Sequence, residues 1–188
     1  MELRTLGSVC LSGHTFGRPK PLLLLAYLSM EGPQQRRQVS DLFWPEATDP
    51  RDSLSTTIRR LNRVDGGLIA AQGQVIATSL TCDAKELLAL LDGGHYRTAC
   101  ERYAGPFLQG LDLQLSTELE NWLYDTRDYI ARRVRVALLA LTEAAQLDGD
   151  LRAAVRHAEA AVKLSEQTPM EAHELRAVHR VLSAGDSP

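Results

Sequence analysis

The chain has 188 residues, 44% of them hydrophobic and 24% charged, with a formal net charge of -3. This is ordinary globular composition, enough for one large or two small domains, and the acidic balance excludes a uniformly basic nucleic-acid coat. The charge is uneven: residues 1–80 hold nine Lys/Arg against seven Asp/Glu, and residues 81–188 hold twelve against seventeen. Cys10, Cys82 and Cys100 are odd in number and far apart, so they make neither a disulfide framework nor a metal knuckle. A reducing cytoplasm is the expected setting. No stretch is long enough to span a bilayer, so no membrane association is expected. The apolar run at 22–28 follows Arg18 and Lys20 but starts too late and is too short for a secretory leader.

In chain order, residues 2–12 alternate weakly around Gly7 and predict two short strands packed on a helical core. The run at 22–28 predicts a buried helix, separated by Gly32-Pro33 from a second short segment, Arg36 to Pro45. Asp49 followed by Pro50 supplies an N-cap and a first-turn proline for a third helix, about 51–64. In that helix Leu54, Ile58 and Leu61 recur at spacings of four and three and form one apolar stripe. Arg59, Arg60, Arg63 and Thr56 then fall on the opposite side. Taken alone, this helix reads equally well as a solvated cationic face; the two helices before it favour DNA. Gly66-Gly67 stops the helix, and 68–71 with 74–78 flank Gln72-Gly73 as a hairpin. Three helices and a hairpin in this order suggest a helix-turn-helix with a wing.

From Asp83 onward the pattern is helical. Helices are predicted over 84–91, 96–103, 117–147, 151–164 and 170–182, punctuated by Gly93-Gly94, Gly105-Pro106, Asp148-Gly149-Asp150 and Pro169. Ala154, Ala158 and Ala161 put small residues on one face, where a neighbouring helix can approach closely. Antiparallel helix pairs with short turns suggest an irregular tetratricopeptide-like stack, although no 34-residue repeat is clean. The expected class is therefore mainly α with a small β component. A winged helix-turn-helix domain at 1–80 precedes an all-α tetratricopeptide-like domain at 81–188.

Three segments carry a resemblance to a known family: Arg18 to Leu28 with Arg36 through Phe43-Trp44-Pro45; Arg51-Asp-Ser-Leu54 continuing to Ile58-Arg-Arg-Leu61; and Tyr103 to Leu108 with Gly110, Glu118 to Leu123 and Arg127. In that order and spacing they resemble the SARP-type bacterial transcriptional regulators. Those join an OmpR-type winged helix to a bacterial transcriptional activator domain built like tetratricopeptide repeats. The resemblance implies an activator that binds double-stranded promoter DNA, commonly at direct repeats, and helps recruit RNA polymerase. Self-association as a homodimer is a further expectation. It implies that 51–63 is the recognition helix, lying in the major groove. Arg59, Arg60 and Arg63 are then candidates for phosphate or guanine contacts, with Thr56 between them. Arg36 and Arg37 would steady the protein on a phosphate strand, and Arg51 and Ser55 complete the expected DNA-contacting set. Trp44 matches a family aromatic expected in the core.

Two positions depart from the family. A basic residue usually stands where this chain has Asn62, and the wing is often cationic, whereas no Lys or Arg occurs between Arg63 and Lys85. The family normally continues beyond Gly185 with a further helix, so Asp186-Ser187-Pro188 is expected to be a truncated end.

Catalysis has no support in the sequence. His14, His95, His157, His173 and His179 lack metal-ligand spacing, and there is no phosphate loop and no nucleophile elbow. Carboxylate pairs such as Asp125/Asp128 and Glu118/Glu120 sit in charged helices, where solvated ion pairs are the default. A non-enzyme without cofactor or metal is expected. Besides a DNA-binding regulator, the residues allow a protein-interaction module whose winged helix no longer binds DNA; the neutral wing favours it.

Overall fold

The computed structural model describes residues 1–13, 18–111, 113–165 and 169–185. His14 and the segment 186–188, both singled out above, lie outside the described residues. The described chain is mainly helical with a small β component, eight helices and two small sheets. It divides into two compact units, Met1–Glu86 with Gly105–Asp125, and Leu87–Ala104 with Thr126–Pro188. A single cut after residue 80 does not describe this division, because 105–125 returns to the first unit.

Backbone pairing and aromatic packing explain that return. Strands β1 (Leu3–Arg4) and β2 (Cys10–Leu11) pair antiparallel, Leu3 opposite Leu11. The chain between them is bonded in turn by 105–109: Leu108 N–H donates to Thr5 O at 2.6 Å and Gln109 N–H to Gly7 O at 2.9 Å. Gly105 has φ +149°, and a Cβ there would stand 3.3 Å from Gly7 Cα, so the crossing needs glycine. Trp122 then packs edge-on against Tyr27 and Phe107, while its indole N–H donates to Glu31 Oε1 at 2.7 Å. Asp83 ties the other end, its carboxylate accepting from Thr5 N–H, Thr5 Oγ1 and Leu6 N–H.

Helix α1 (Pro19–Glu31) is longer than the apolar run and buries Leu22 through Ala26 and Leu28 almost completely. Gly32, at φ 76°, closes it by donating to Leu28 O. Next comes β3 (Gln34–Gln35), which the sequence pattern does not predict. A two-residue glutamine strand has no alternation to detect; it exists because β5 (Val75–Ala77) offers it a ladder, Gln34 opposite Ile76. Strand β4 (Ala70–Gln72) pairs with the other side of β5, giving the order β3-β5-β4. The hairpin turn is Gly73-Gln74, one residue later than predicted, since Gln72 faces Val75. Gly73 at φ 59° takes the first turn position, where a two-residue hairpin loop demands positive φ.

Helices α2 (Arg36–Phe43) and α3 (Pro50–Val64) pack on each other, and α1 contacts both α3 and β5. Asp49 caps α3 as expected, its Oδ1 accepting from Asp52 N–H at 2.9 Å. The buried stripe is Leu54, Ile58 and Leu61 with Thr57 added; the Thr57 hydroxyl is satisfied by donating to Ser53 O.

Helices α4 (Asp83–Asp92) and α6 (Thr117–Leu147) contribute residues to both units. The second unit also holds α5 (Tyr96–Arg102), α7 (Leu151–Ser165) and α8 (Ala172–Gly185). Ala154, Ala158 and Ala161 are fully buried, and α7 packs against α8 over a cluster of Ala145, Ala154, Ala158, Val178 and Val181. Helix α8 starts two residues later than predicted, with Glu171 N–H bonded to Glu174 Oε2 at 2.8 Å. Glu174 also forms an ion pair at 3.1 Å with Arg135 of α6, their side chains 6% and 2% exposed. That buried pair has no periodic signature in the sequence.

Candidate nucleic-acid interface

Helix α3 carries the candidate site because its apolar stripe commits the opposite side to solvent. Arg59, Arg60 and Arg63 are all exposed, and Thr56 and Ser55 are half-buried along the same helix. Arg60 and Arg63 make no hydrogen bond or ion pair among the described residues. Arg59 is held: its Nη2 donates to Thr56 Oγ1 at 3.0 Å and stands 3.7 Å from Asp52 Oδ1. Asp52, two turns before Arg59, shares the outer face, a carboxylate outside the expected DNA-contacting set. The pair is well exposed, so water and salt screen it and its hold on Arg59 is weak.

A second group of arginines stands where α2 and α3 begin. Arg36 Nη2 donates to Ser55 Oγ at 3.0 Å, and Ser55 Oγ donates in turn to Arg51 O at 2.7 Å. Ser55 therefore orients an arginine of the neighbouring helix instead of presenting its hydroxyl outward. Arg37 pairs with Asp41 at 3.8 Å across one exposed turn, and the Arg51 guanidinium is exposed. All eight candidate residues lie within the first unit: Arg59, Arg60 and Arg63 on the outer face of α3, and Arg36, Arg37 and Arg51 around its start.

Asn62 holds a structural place on α3. Its amide N–H donates to Ile69 O at 2.9 Å, and its Oδ1 accepts from Ile69 N–H at 2.9 Å. The side chain thus clamps the segment entering the hairpin to α3. Nothing local in the sequence signals this, because the partner is backbone seven residues on. The hairpin is exposed from Ala70 to Gln74 and carries no charge. Trp44 is half-buried, not sealed in the core: its ring lies 5.7 Å from Phe43, with Lys20 Nζ 5.2 Å from its centroid. Partial burial holds the Lys20 pKa below its usual value.

Among the described residues no group of three or more His, Cys, Asp or Glu could hold a metal ion, and no helix is long and apolar enough to cross a membrane. No protein-family model matches the chain, and comparison with curated proteins finds no match.

Proposed function

We propose that this chain is a sequence-specific regulator of transcription, an activator that reads double-stranded promoter DNA in the cytoplasm with α3. The reading takes α1 to α3 with the β3-β5-β4 sheet as a winged helix-turn-helix of the SARP type. It takes the second unit as a tetratricopeptide-like activator module for self-association or RNA polymerase contact. One observation carries it: Arg59, Arg60 and Arg63 extend from the face of α3 opposite Leu54, Ile58 and Leu61. Arginine forks in that position suit guanine edges and phosphates alike. With an uncharged hairpin adding little counterion release, one copy binds not far above the roughly 10⁻⁴–10⁻⁶ M typical of non-specific association. Useful occupancy then relies on adjacent copies or a second contact.

The test is fluorescence anisotropy with duplex DNA at several salt concentrations, for the protein and for Arg59→Ala/Arg63→Ala. Binding weakens as salt rises, and the double change costs at least several-fold. The neutral hairpin favours a second reading, a protein-interaction module without DNA binding. That reading prevails if binding is feeble and indifferent to both arginines.

A further inference from the structure

The arginines at the start of α2 and α3 line one open depression of about 570 Å³, together with Gln35, Leu54 and Gln74. Arg36 and Arg37 come from α2 and Arg51 from α3, so it is the fold, not the sequence order, that gathers three arginines around one space. No carboxylate lines it. Among the described residues, the acid paired with any of the three is Asp41, which holds Arg37 only loosely at 3.8 Å, with both side chains mostly exposed. Arg36 is already oriented by Ser55, so little side-chain freedom is left to lose when it engages a ligand. The glutamine carboxamides add neutral donors. Gln35 makes no side-chain cap to α2, and the Arg36 N–H is spent on Gln74 O at 2.7 Å, so the positive charge here comes from the arginine side chains.

Three like charges around a space lacking a counter-charge call for an anion. Planar guanidinium forks match the paired oxygens of a phosphate. We infer that this depression seats a single backbone phosphate of the bound DNA, with Arg36, Arg37 and Arg51 serving one anion together. Base reading is left to Arg59, Arg60 and Arg63. The inference rests on the DNA-binding reading above and adds a division of labour to it. A phosphate seat fixes register and carries no sequence information.

The salt dependence of binding counts the phosphates engaged, because each neutralised phosphate contributes about 0.9 to the slope of log K against log salt. Duplex binding is measured over a salt series for the wild type, for Arg51→Gln, for Arg36→Gln/Arg37→Gln/Arg51→Gln, and for Arg59→Gln/Arg63→Gln. Circular dichroism confirms that each variant is folded. The triple variant is expected to lower the slope by about 0.9, one phosphate. It should weaken cognate and unrelated duplexes alike, whereas Arg59→Gln/Arg63→Gln narrows the difference between them. A slope loss near 2.7 would mean three separate phosphates, and no loss would mean none; either overturns the single seat.

A second arm dispenses with DNA. Inorganic phosphate is titrated while the arginine Nε–Hε resonances are followed by NMR. Arg36, Arg37 and Arg51 are expected to shift together with one dissociation constant, and Arg51→Gln should weaken the response of the other two. Absence of these shifts overturns the seat itself. Shifts without duplex binding by any variant overturn the DNA assignment and leave a seat for a free phosphoryl group.

Discussion

The ion pair between Arg135 and Glu174 gives the sharpest stability prediction. At 3.1 Å the attraction is about 5 kcal/mol for an effective dielectric of about 20. Withdrawing each ion from water costs several kcal/mol, so the intact pair adds little net stability. Removing one partner is another matter. In Glu174→Ala the Arg135 guanidinium, 2% exposed, stays buried with Pro169 O as one remaining acceptor at 3.4 Å. Losing the compensating charge costs about 3–5 kcal/mol. The same change frees Glu171 N–H, bonded to Glu174 Oε2 at 2.8 Å, and so loosens the start of α8. Replacing both residues by apolar side chains, as in Arg135→Met/Glu174→Leu, removes the buried charge along with Glu174 and is expected to recover most of that loss. Urea unfolding followed by far-ultraviolet circular dichroism measures all three proteins. A cost below about 1 kcal/mol for Glu174→Ala, or a double variant no better than the single, refutes the argument that breaking a buried pair is the damaging step.

Three further outcomes follow from the structure. Asn62→Ala leaves the N–H and C=O of buried Ile69 without their partner, at about 1–3 kcal/mol per stranded group. Hydrogen exchange at Ile69 should accelerate while the buried amides of α1 hold, and unchanged exchange at Ile69 counts against the clamp. Burial, with a further push from Glu101, raises the Cys100 pKa to about 11. At pH 8 only about one thousandth of it is the reactive thiolate. A disulfide reagent should therefore modify exposed Cys10 first and buried Cys82 only on unfolding, and prompt reaction at Cys100 contradicts this. His157 is held below its ordinary 6.5 by burial, then by Arg97 and Arg156, with Asp150 opposing. The folded chain thus takes up this proton less readily than the unfolded one. Stability from this group is full above pH 6.5 and declines as pH falls through 6.5 toward the lowered value. An NMR titration placing the His157 midpoint at or above 6.5 contradicts the assignment.

What could be read in advance follows the range of the interaction responsible. Helix α3 was legible because every determinant is local: Asp49 caps within three residues, Pro50 opens the first turn, and Leu54, Ile58 and Leu61 repeat at helical spacing. The outward arginines follow from the same period, and so does Asp52 beside Arg59, which was there to be seen. The alanines of α7 were legible for the same reason. Where the partner is distant, the sequence was silent. Strand β3 depends on β5 forty residues on, segment 105–125 depends on bonds to residues 5–7 and on Tyr27, and Arg135 depends on Glu174. Periodicity reports which face is buried, but not against what.

The same limit bears on the candidate interface. The sequence shows Arg36, Arg37, Ser55 and Arg51 as members of two separate helices, and helical spacing says nothing about whether they meet. The packing of α2 on α3 turns them into one group, with Ser55 spent on orienting Arg36 and no longer free for a base. On the proposed DNA-binding reading, Ser55→Ala then separates the two roles. If the serine only positions Arg36, the change weakens every duplex modestly and leaves sequence preference intact. If it reads a base, the change relaxes preference at one position by about 1–3 kcal/mol. A binding-site selection on wild type and Ser55→Ala decides between them, and a relaxed position in the selected sites would give Ser55 a direct contact to a base.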